Sequence, residues 1–97
     1  MKFNRTQKFT KENIGDVPKD KAIVYKIKNA STENLYTGVA SRGRVQERLM
    51  EHKILKNEII PGGTRFQFAQ VKNKSRAEQI EKRIIKEEHP RFNKQNK

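Results

Sequence analysis

A carboxylate at position 81 is out of keeping with its neighbours. Ala77, Ile80, Ile84 and Ile85 recur at helical spacing near the C-terminus, and at about 100° per residue their arc spans roughly 140°, with Glu81 inside it. A carboxylate in a core-facing stripe loses solvation, which is costly unless a cation or hydrogen-bond donors meet it. Two readings stay open. Glu81 is either a stripe edge that reaches water or pairs with Arg76 or Lys82, or a metal-binding or acid–base carboxylate. Arg48 and His52 form a second constellation, four residues apart and so on one helix face beside Val45 and Leu49. A guanidinium and an imidazole presented together suit an anionic, phosphoryl-like transition state: one holds charge, the other moves a proton or hydrogen-bonds an oxygen. The plain alternative is a solvated helix face. Tyr25 and Tyr36 are the chain's two tyrosines, and half-buried strand tyrosine is ordinary. Gly38 inside a strand is less so, marking a bulge or the close approach of a backbone or ligand.

These residues need elements to position them. AIVYKIK (22–28) is β-branched and aromatic, apolar and then alternating, which predicts a central strand. NASTEN (29–34) is a turn cluster, and LYTGVA (35–40) is a second strand, making an antiparallel hairpin. RVQERLMEHKILKN (44–57) carries Val45, Leu49, Ile54 and Leu55 with no breaker, an amphipathic helix with Ser41 as N-cap, ended by Pro61-Gly62-Gly63. TRFQFAQVK (64–72) alternates as a third strand, with Phe66, Phe68 and Gln70 on one face and Arg65, Gln67 and Ala69 on the other. Ser75-Arg76-Ala77-Glu78 reads as a capping box opening the last helix, which Pro90 stops. The expected order is β-β-α-β-α, an α+β domain and small α/β sandwich on a three-stranded antiparallel sheet flanked by helices. Residues 1–21 read as an extended basic lead-in, with one short turn around 11–17 closed by Pro18, and 94–97 as a basic tail.

Composition narrows the class. The 97 residues carry 23 Lys and Arg against 11 Asp and Glu, a net charge of +12. Ile, Leu, Val and Phe make up about 23% of the chain, just above the ~20% below which highly charged chains stay disordered. One small core is therefore expected. No apolar run is long enough to span a bilayer, and the first sixteen residues contain no apolar stretch of a signal peptide. The absence of cysteine excludes disulfides, zinc-finger cages, iron–sulfur clusters and thiol catalysis. A reducing, cytoplasmic setting is expected. Charge of this size attracts polyanions, of which nucleic acid is the commonest in a cell.

Taken as a series, IVY (23–25), LYTGVA (35–40), RVQERLMEH (44–52) and AEQIEKRIIKEEHPRFN (77–93) resemble the blocks of the GIY-YIG nuclease superfamily, in its order, across residues 22–93. The resemblance implies a three-stranded α/β sandwich and metal-dependent hydrolysis of a DNA phosphodiester. By position, Tyr25 and Tyr36 correspond to the two motif tyrosines, Arg48 to the catalytic helix arginine and His52 to the His or Tyr one turn later. Glu81 matches the glutamate that holds one divalent cation, Mg²⁺ or Mn²⁺, and Asn93 the asparagine that braces the site. Any of Tyr25, Tyr36 or His52 could activate water. The first motif reads Ile-Val-Tyr without its glycine, and Val39 stands where some repair-type members carry lysine, a cation that Arg42 or Arg44 would have to replace.

The expected activity is a stand-alone DNA endonuclease, structure-selective or weakly sequence-specific, with a partner protein as one source of targeting and no membrane association. Lys26, Gly38, Arg42 and Arg44 are the expected nucleic-acid contacts. The competing readings are a non-catalytic nucleic-acid-binding module that keeps the fold and a small basic structural protein.

Overall fold

The computed structural model describes residues 2–96, and the side chains of the expected basic tail, 94–97, lie outside the described ones. Seven elements precede a C-terminal 3₁₀ turn: β1 (Gln7–Lys8), α1 (Lys11–Gly15), β2 (Ala22–Lys28), β3 (Asn34–Ala40), α2 (Val45–Ile54), β4 (Arg65–Val71) and α3 (Lys74–Glu88), then Arg91–Asn96. No helix among the described residues is long and apolar enough to cross a membrane.

The sheet has four antiparallel strands in spatial order β1-β4-β2-β3, not the expected three. The extra strand comes from the segment expected to be an extended lead-in. It pairs only Gln7 with Phe66 and Lys8 with Arg65, too short to leave a period-2 signal. The same segment supplies a capped helical turn, Thr10 accepting a hydrogen bond from the Asn13 N–H at 3.1 Å, and buries Phe9, Ile14 and Val17.

Both faces of the sheet are covered. Ile23, Tyr25, Ile27 and Phe66 pack with Phe9, Ile14, Val17, Val45 and Leu49 on one side. Ala22, Val24 and Val71 pack against Ala77, Ile80 and Ile84 of α3 on the other. The alternating faces expected of β4 are therefore both used: Phe66 and Phe68 pack on the first side, and Val71 on the second, while Ala69 is buried and Gln70 exposed.

The helix ends also differ. Ser41 does not cap α2; its carbonyl accepts from the Arg44 N–H at 2.9 Å across a turn with Gly43 at φ +84°, and Arg44 takes the cap position without a side-chain bond. A left-handed residue in that turn suits glycine. α2 stops at Ile54, three residues early, and Ile54 and Leu55 are exposed. α3 is capped by Asn73, whose Oδ1 accepts from the Arg76 N–H at 2.9 Å, so Ser75 lies inside the helix rather than at its cap. Asn caps as well as Ser does, and the cap two residues earlier wins. The helix closes at His89 in the left-handed region (φ 50°), just before Pro90.

Because Phe9 is buried with its ring 5.3 Å from that of Phe66, Phe9→Ala should lower the unfolding free energy by about 3–5 kcal/mol. Urea unfolding measures it, and a loss under ~1 kcal/mol would return the N-terminal segment to the status of a lead-in.

Candidate functional site

The neighbourhood of Tyr25 is built from β2, β3 and the last turn of α2. Tyr25 is fully buried, so its hydroxyl must find a protein partner. It finds His52, with Tyr25 Oη and His52 Nε2 2.8 Å apart. The other ring nitrogen, Nδ1, lies 2.8 Å from the Glu58 carbonyl oxygen. A carbonyl only accepts, so Nδ1 carries the proton, Nε2 is the acceptor and the Tyr25 O–H donates. Burial lowers the His52 pKa; the Glu58 carbonyl opposes the shift and Arg48 adds to it. The imidazole is thus held neutral. Burial likewise drives the Tyr25 phenol well above its usual range, with Arg48 opposing.

Arg48 lies one turn earlier on α2. Its Nη1 donates to Glu51 Oε1 at 2.7 Å and Glu58 Oε1 at 3.2 Å, and its Nη2 lies 3.5 Å from the Tyr36 hydroxyl. Burial pulls the Arg48 pKa down, but the two phenols and the hydrogen bonds to Glu51 and Glu58 leave it above its ordinary value. The Tyr36 ring is 5.0 Å from the His52 ring and 6.4 Å from that of Tyr25. Tyr36 is half-buried and lines a cavity of about 320 Å³ together with His52 and Glu58. Burial raises its pKa and Arg48 works against that. Tyr25, Tyr36, Arg48 and His52 therefore come together as one contact set.

Glycine at position 38 is accounted for inside the protein. A Cβ there would meet Tyr25 Oη at 2.6 Å and Tyr25 Cζ at 2.7 Å, so the close approach is that of the Tyr25 ring, not of an outside ligand. Asn93 is buried and pairs with the edge strand: the Thr37 N–H donates to Asn93 Oδ1 at 2.8 Å, and Asn93 Nδ2 donates to the Thr37 carbonyl at 2.9 Å. It holds β3 between Tyr36 and Gly38.

Glu81, on α3, is half-buried, and no side chain among the described residues hydrogen-bonds or ion-pairs with it. The expected alternative pairings with Arg76 and Lys82 are absent among them; Arg76 donates to Gln79 instead. Burial raises the Glu81 pKa, the Glu78 carboxylate adds to this, and Arg48 and Lys82 oppose it. Its charge also bears on both tyrosines. Lys26 does not join the set. It lies on the opposite face of β2 from Tyr25, its ammonium 2.9 Å from Glu88 and 4.8 Å above the Phe3 ring. Arg42 and Arg44 are exposed, Arg44 within 3.2 Å of Glu47. Arg44 shares with Arg48 a cavity of about 300 Å³.

The N-terminal GIY-YIG endonuclease domain of UvrC from Thermotoga maritima, solved with its catalytic magnesium, matches this architecture with a TM-score of 0.69 over 87% of this chain and 99% of that domain, at 24% identity. A point mutant of the same domain, bound to its catalytic divalent cation, matches with a TM-score of 0.68 over 86% of this chain and 97% of that one, at 23% identity. The chain has the GIY-YIG fold. No protein-family model matches the sequence, and no curated protein matches it either.

Within the GIY-YIG fold, Glu81 is the residue to consider for a metal. Among the described residues no group of three or more His, Cys, Asp and Glu side chains gathers into a cage. Mg²⁺ does not need one: it keeps several waters and is commonly bound through one or two carboxylates. A half-buried carboxylate whose charge is disfavoured by burial and by Glu78 fits such a ligand, since a cation would relieve both.

Glu51 and Glu58 were missed as site residues. Glu51 was detectable, three residues after Arg48 on the same helix face. Glu58 was not, because only the early end of α2 brings it back to the site.

Two outcomes follow. The unfolded chain protonates histidine near pH 6.5 while folded His52 titrates lower, so wild-type stability should fall as pH drops from about 6.5 towards the folded value. His52→Gln should flatten this slope in urea unfolding between pH 7.5 and 5.5; equal slopes would contradict a neutral imidazole with a lowered pKa. Gly38→Ala forces a rigid ring aside and should cost about 1–3 kcal/mol, where an unfilled site would tolerate it.

Proposed function

We propose that the protein is a metal-dependent endonuclease that hydrolyses DNA phosphodiester bonds, structure-selective or weakly sequence-specific. One observation carries this reading: the Tyr25–His52–Glu58–Arg48–Tyr36 set, on a GIY-YIG fold, with a carboxylate of unfavourable charge bearing on both phenols. The endonuclease activity and catalytic magnesium of the structurally similar UvrC domain support it. A +12 chain supplies the attraction for the substrate.

In this reading water attacks phosphorus, the bond to the 3′ oxygen breaks, and that oxygen is protonated from solvent. Arg48 holds the charge that develops on the phosphoryl oxygens, which requires it to exchange Glu58 for phosphate. Of the three candidates for water activation, Tyr36 and His52 both line the cavity, but Tyr36 is the half-buried one, with its hydroxyl 3.5 Å from Arg48 Nη2. Its ionised fraction, small because burial raises the pKa, accepts the water proton, and the neighbouring guanidinium offsets part of that penalty. Tyr25 and His52 are buried, with the imidazole bonded at both nitrogens, and act by positioning. Glu81 holds the divalent cation, whose chemistry when bound is to neutralise the phosphate and ease departure of the 3′ oxygen. Asn93 keeps the Tyr36 strand in place.

Nicking of supercoiled plasmid and of branched or flapped DNA, with Mg²⁺ or Mn²⁺ and with EDTA, tests the reading. Arg48→Ala should lower the rate about 10²–10³-fold, and Glu81→Gln should abolish the metal-dependent rate. Stability moves the other way. A carboxyl whose folded pKa is raised stabilises the fold when protonated and loses that contribution as pH rises through the folded value. Glu81→Gln should therefore raise the urea midpoint at pH 7.5, while erasing the rise in melting temperature that Mg²⁺ gives the wild type. Nicking that survives both substitutions would refute the site, and DNA binding without nicking on any substrate would favour a non-catalytic module.

A further inference from the structure

A second, separate group of cations surrounds a cavity away from the tyrosines. Lys21 at the start of β2, Arg42 in the β3–α2 turn, and Lys72 and Lys74 around the β4–α3 turn line a space of about 530 Å³, with Asp20 as the one carboxylate in its wall. All five are exposed. Asp20 Oδ1 accepts from Gln70 Nε2 at 3.0 Å, and none of the four cations forms an ion pair among the described residues. The cavity thus keeps a net charge of +3. These residues come from three separate stretches of sequence, so no local helix or strand pattern accounts for their meeting. Like charges that converge on one cavity repel, and an anion seated among them removes that repulsion.

The position of the cavity says which anion. Ser41 and Lys74 line both this cavity and the one walled by Arg44, Arg48 and Glu51. The two are therefore neighbours with a shared wall, and a chain of regularly spaced phosphates that had one phosphate at Arg48 would lie across both.

We propose that the Lys21–Arg42–Lys72–Lys74 cavity is a subsite for a non-scissile backbone phosphate of the DNA strand whose neighbouring phosphate meets Arg48. The proposal rests on the endonuclease reading for its strand polarity and register, and on the cavity alone for its anion. The subsite would set where along the backbone the strand is held, without reading bases.

The test uses the whole protein in EDTA, so that no cleavage occurs, and a fluorescent 30-base-pair duplex titrated from 50 to 300 mM KCl. The variant Lys21→Gln/Lys72→Gln/Lys74→Gln removes three charges from the cavity; Lys11→Gln/Lys56→Gln/Lys86→Gln removes three exposed charges elsewhere. Losing one phosphate contact should reduce the slope of log K against log salt by about 0.9 in the first variant, with the same change on unrelated sequences. The second variant should keep the wild-type slope. Equal losses in both would reduce the cavity to part of a diffuse field and overturn the proposal, as would an unchanged slope in the first. Neither variant should melt below the wild type, which separates a binding effect from unfolding. At constant ionic strength, inorganic phosphate should compete with duplex more strongly for the wild type than for the first variant, which keeps Arg48; equal competition would also count against the subsite. Failure of the nuclease reading shows differently. A protein with the expected slopes that never nicks DNA loses only that reading, and a nicking enzyme with unchanged slopes loses only the subsite.

Discussion

One phenol hydroxyl, shut inside the sheet, governs the arrangement around it. Leaving the buried Tyr25 O–H without a partner would cost about 1–3 kcal/mol, a large share of the roughly 5–15 kcal/mol that stabilises a small domain. His52 Nε2 meets it. That bond requires the imidazole proton on Nδ1, which requires an acceptor there, and the Glu58 carbonyl provides it. To bring Glu58 back, α2 has to end at Ile54 and the chain has to turn. The same residue's carboxylate then reaches Arg48, and Arg48 reaches Tyr36. From one hydroxyl the chain of bonds runs through both ends of Glu58 to the second tyrosine. The early end of α2 leaves Ile54, Leu55 and Ile59 exposed, so the bond network outweighs further apolar burial at this end of the helix.

Much of this was legible in the chain. The segment 22–28 is apolar on both faces because it forms the inner strand of a covered sheet, and its pattern showed that. Of the expected stripe, Ala77, Ile80 and Ile84 do form the buried face of α3 while Ile85 is half-buried, since about four turns of helix give periodicity room to accumulate. Arg48 and His52 do share a face, and the resemblance grouped them with both tyrosines. What was hidden depended on few residues or on distant ones. A two-residue strand has no period. Asn73 and Ser75 are both good caps, and only the course of the backbone decides between them. Glu58 belongs to the site through tertiary return rather than through any motif. Gly38 was rightly singled out, but its neighbour is the protein's own Tyr25 ring.

Charge is divided between tasks that composition does not distinguish. Lys26 and Glu88 form a pair at 2.9 Å that ties β2 to the end of α3, a structural use on the face away from Tyr25. Arg48 is held by two carboxylates, which keeps a half-buried guanidinium compensated. Glu81 is the opposite case. Its ionised form is disfavoured by burial and by Glu78, so it costs stability at neutral pH. A residue that weakens the fold in the absence of a ligand is more readily understood through the ligand than through the fold.

The different duties of the two tyrosines follow from where their strands lie. β2 is flanked by β3 and β4 and covered on both faces, so Tyr25 has no route to solvent and can only hold other groups in place. β3 is an edge strand, so Tyr36 packs on one side and opens to a cavity on the other. An exposed edge is a hazard, because its free N–H and C=O groups recruit other strands. Asn93 answers this at Thr37, its amide taking both the N–H and the C=O as a neighbouring strand would. One residue on each side of that clamp then keeps its register on β2, Gly38 opposite Tyr25 and Tyr36 opposite Ile27. At Thr37 a single side chain, rather than a fifth strand, satisfies the edge.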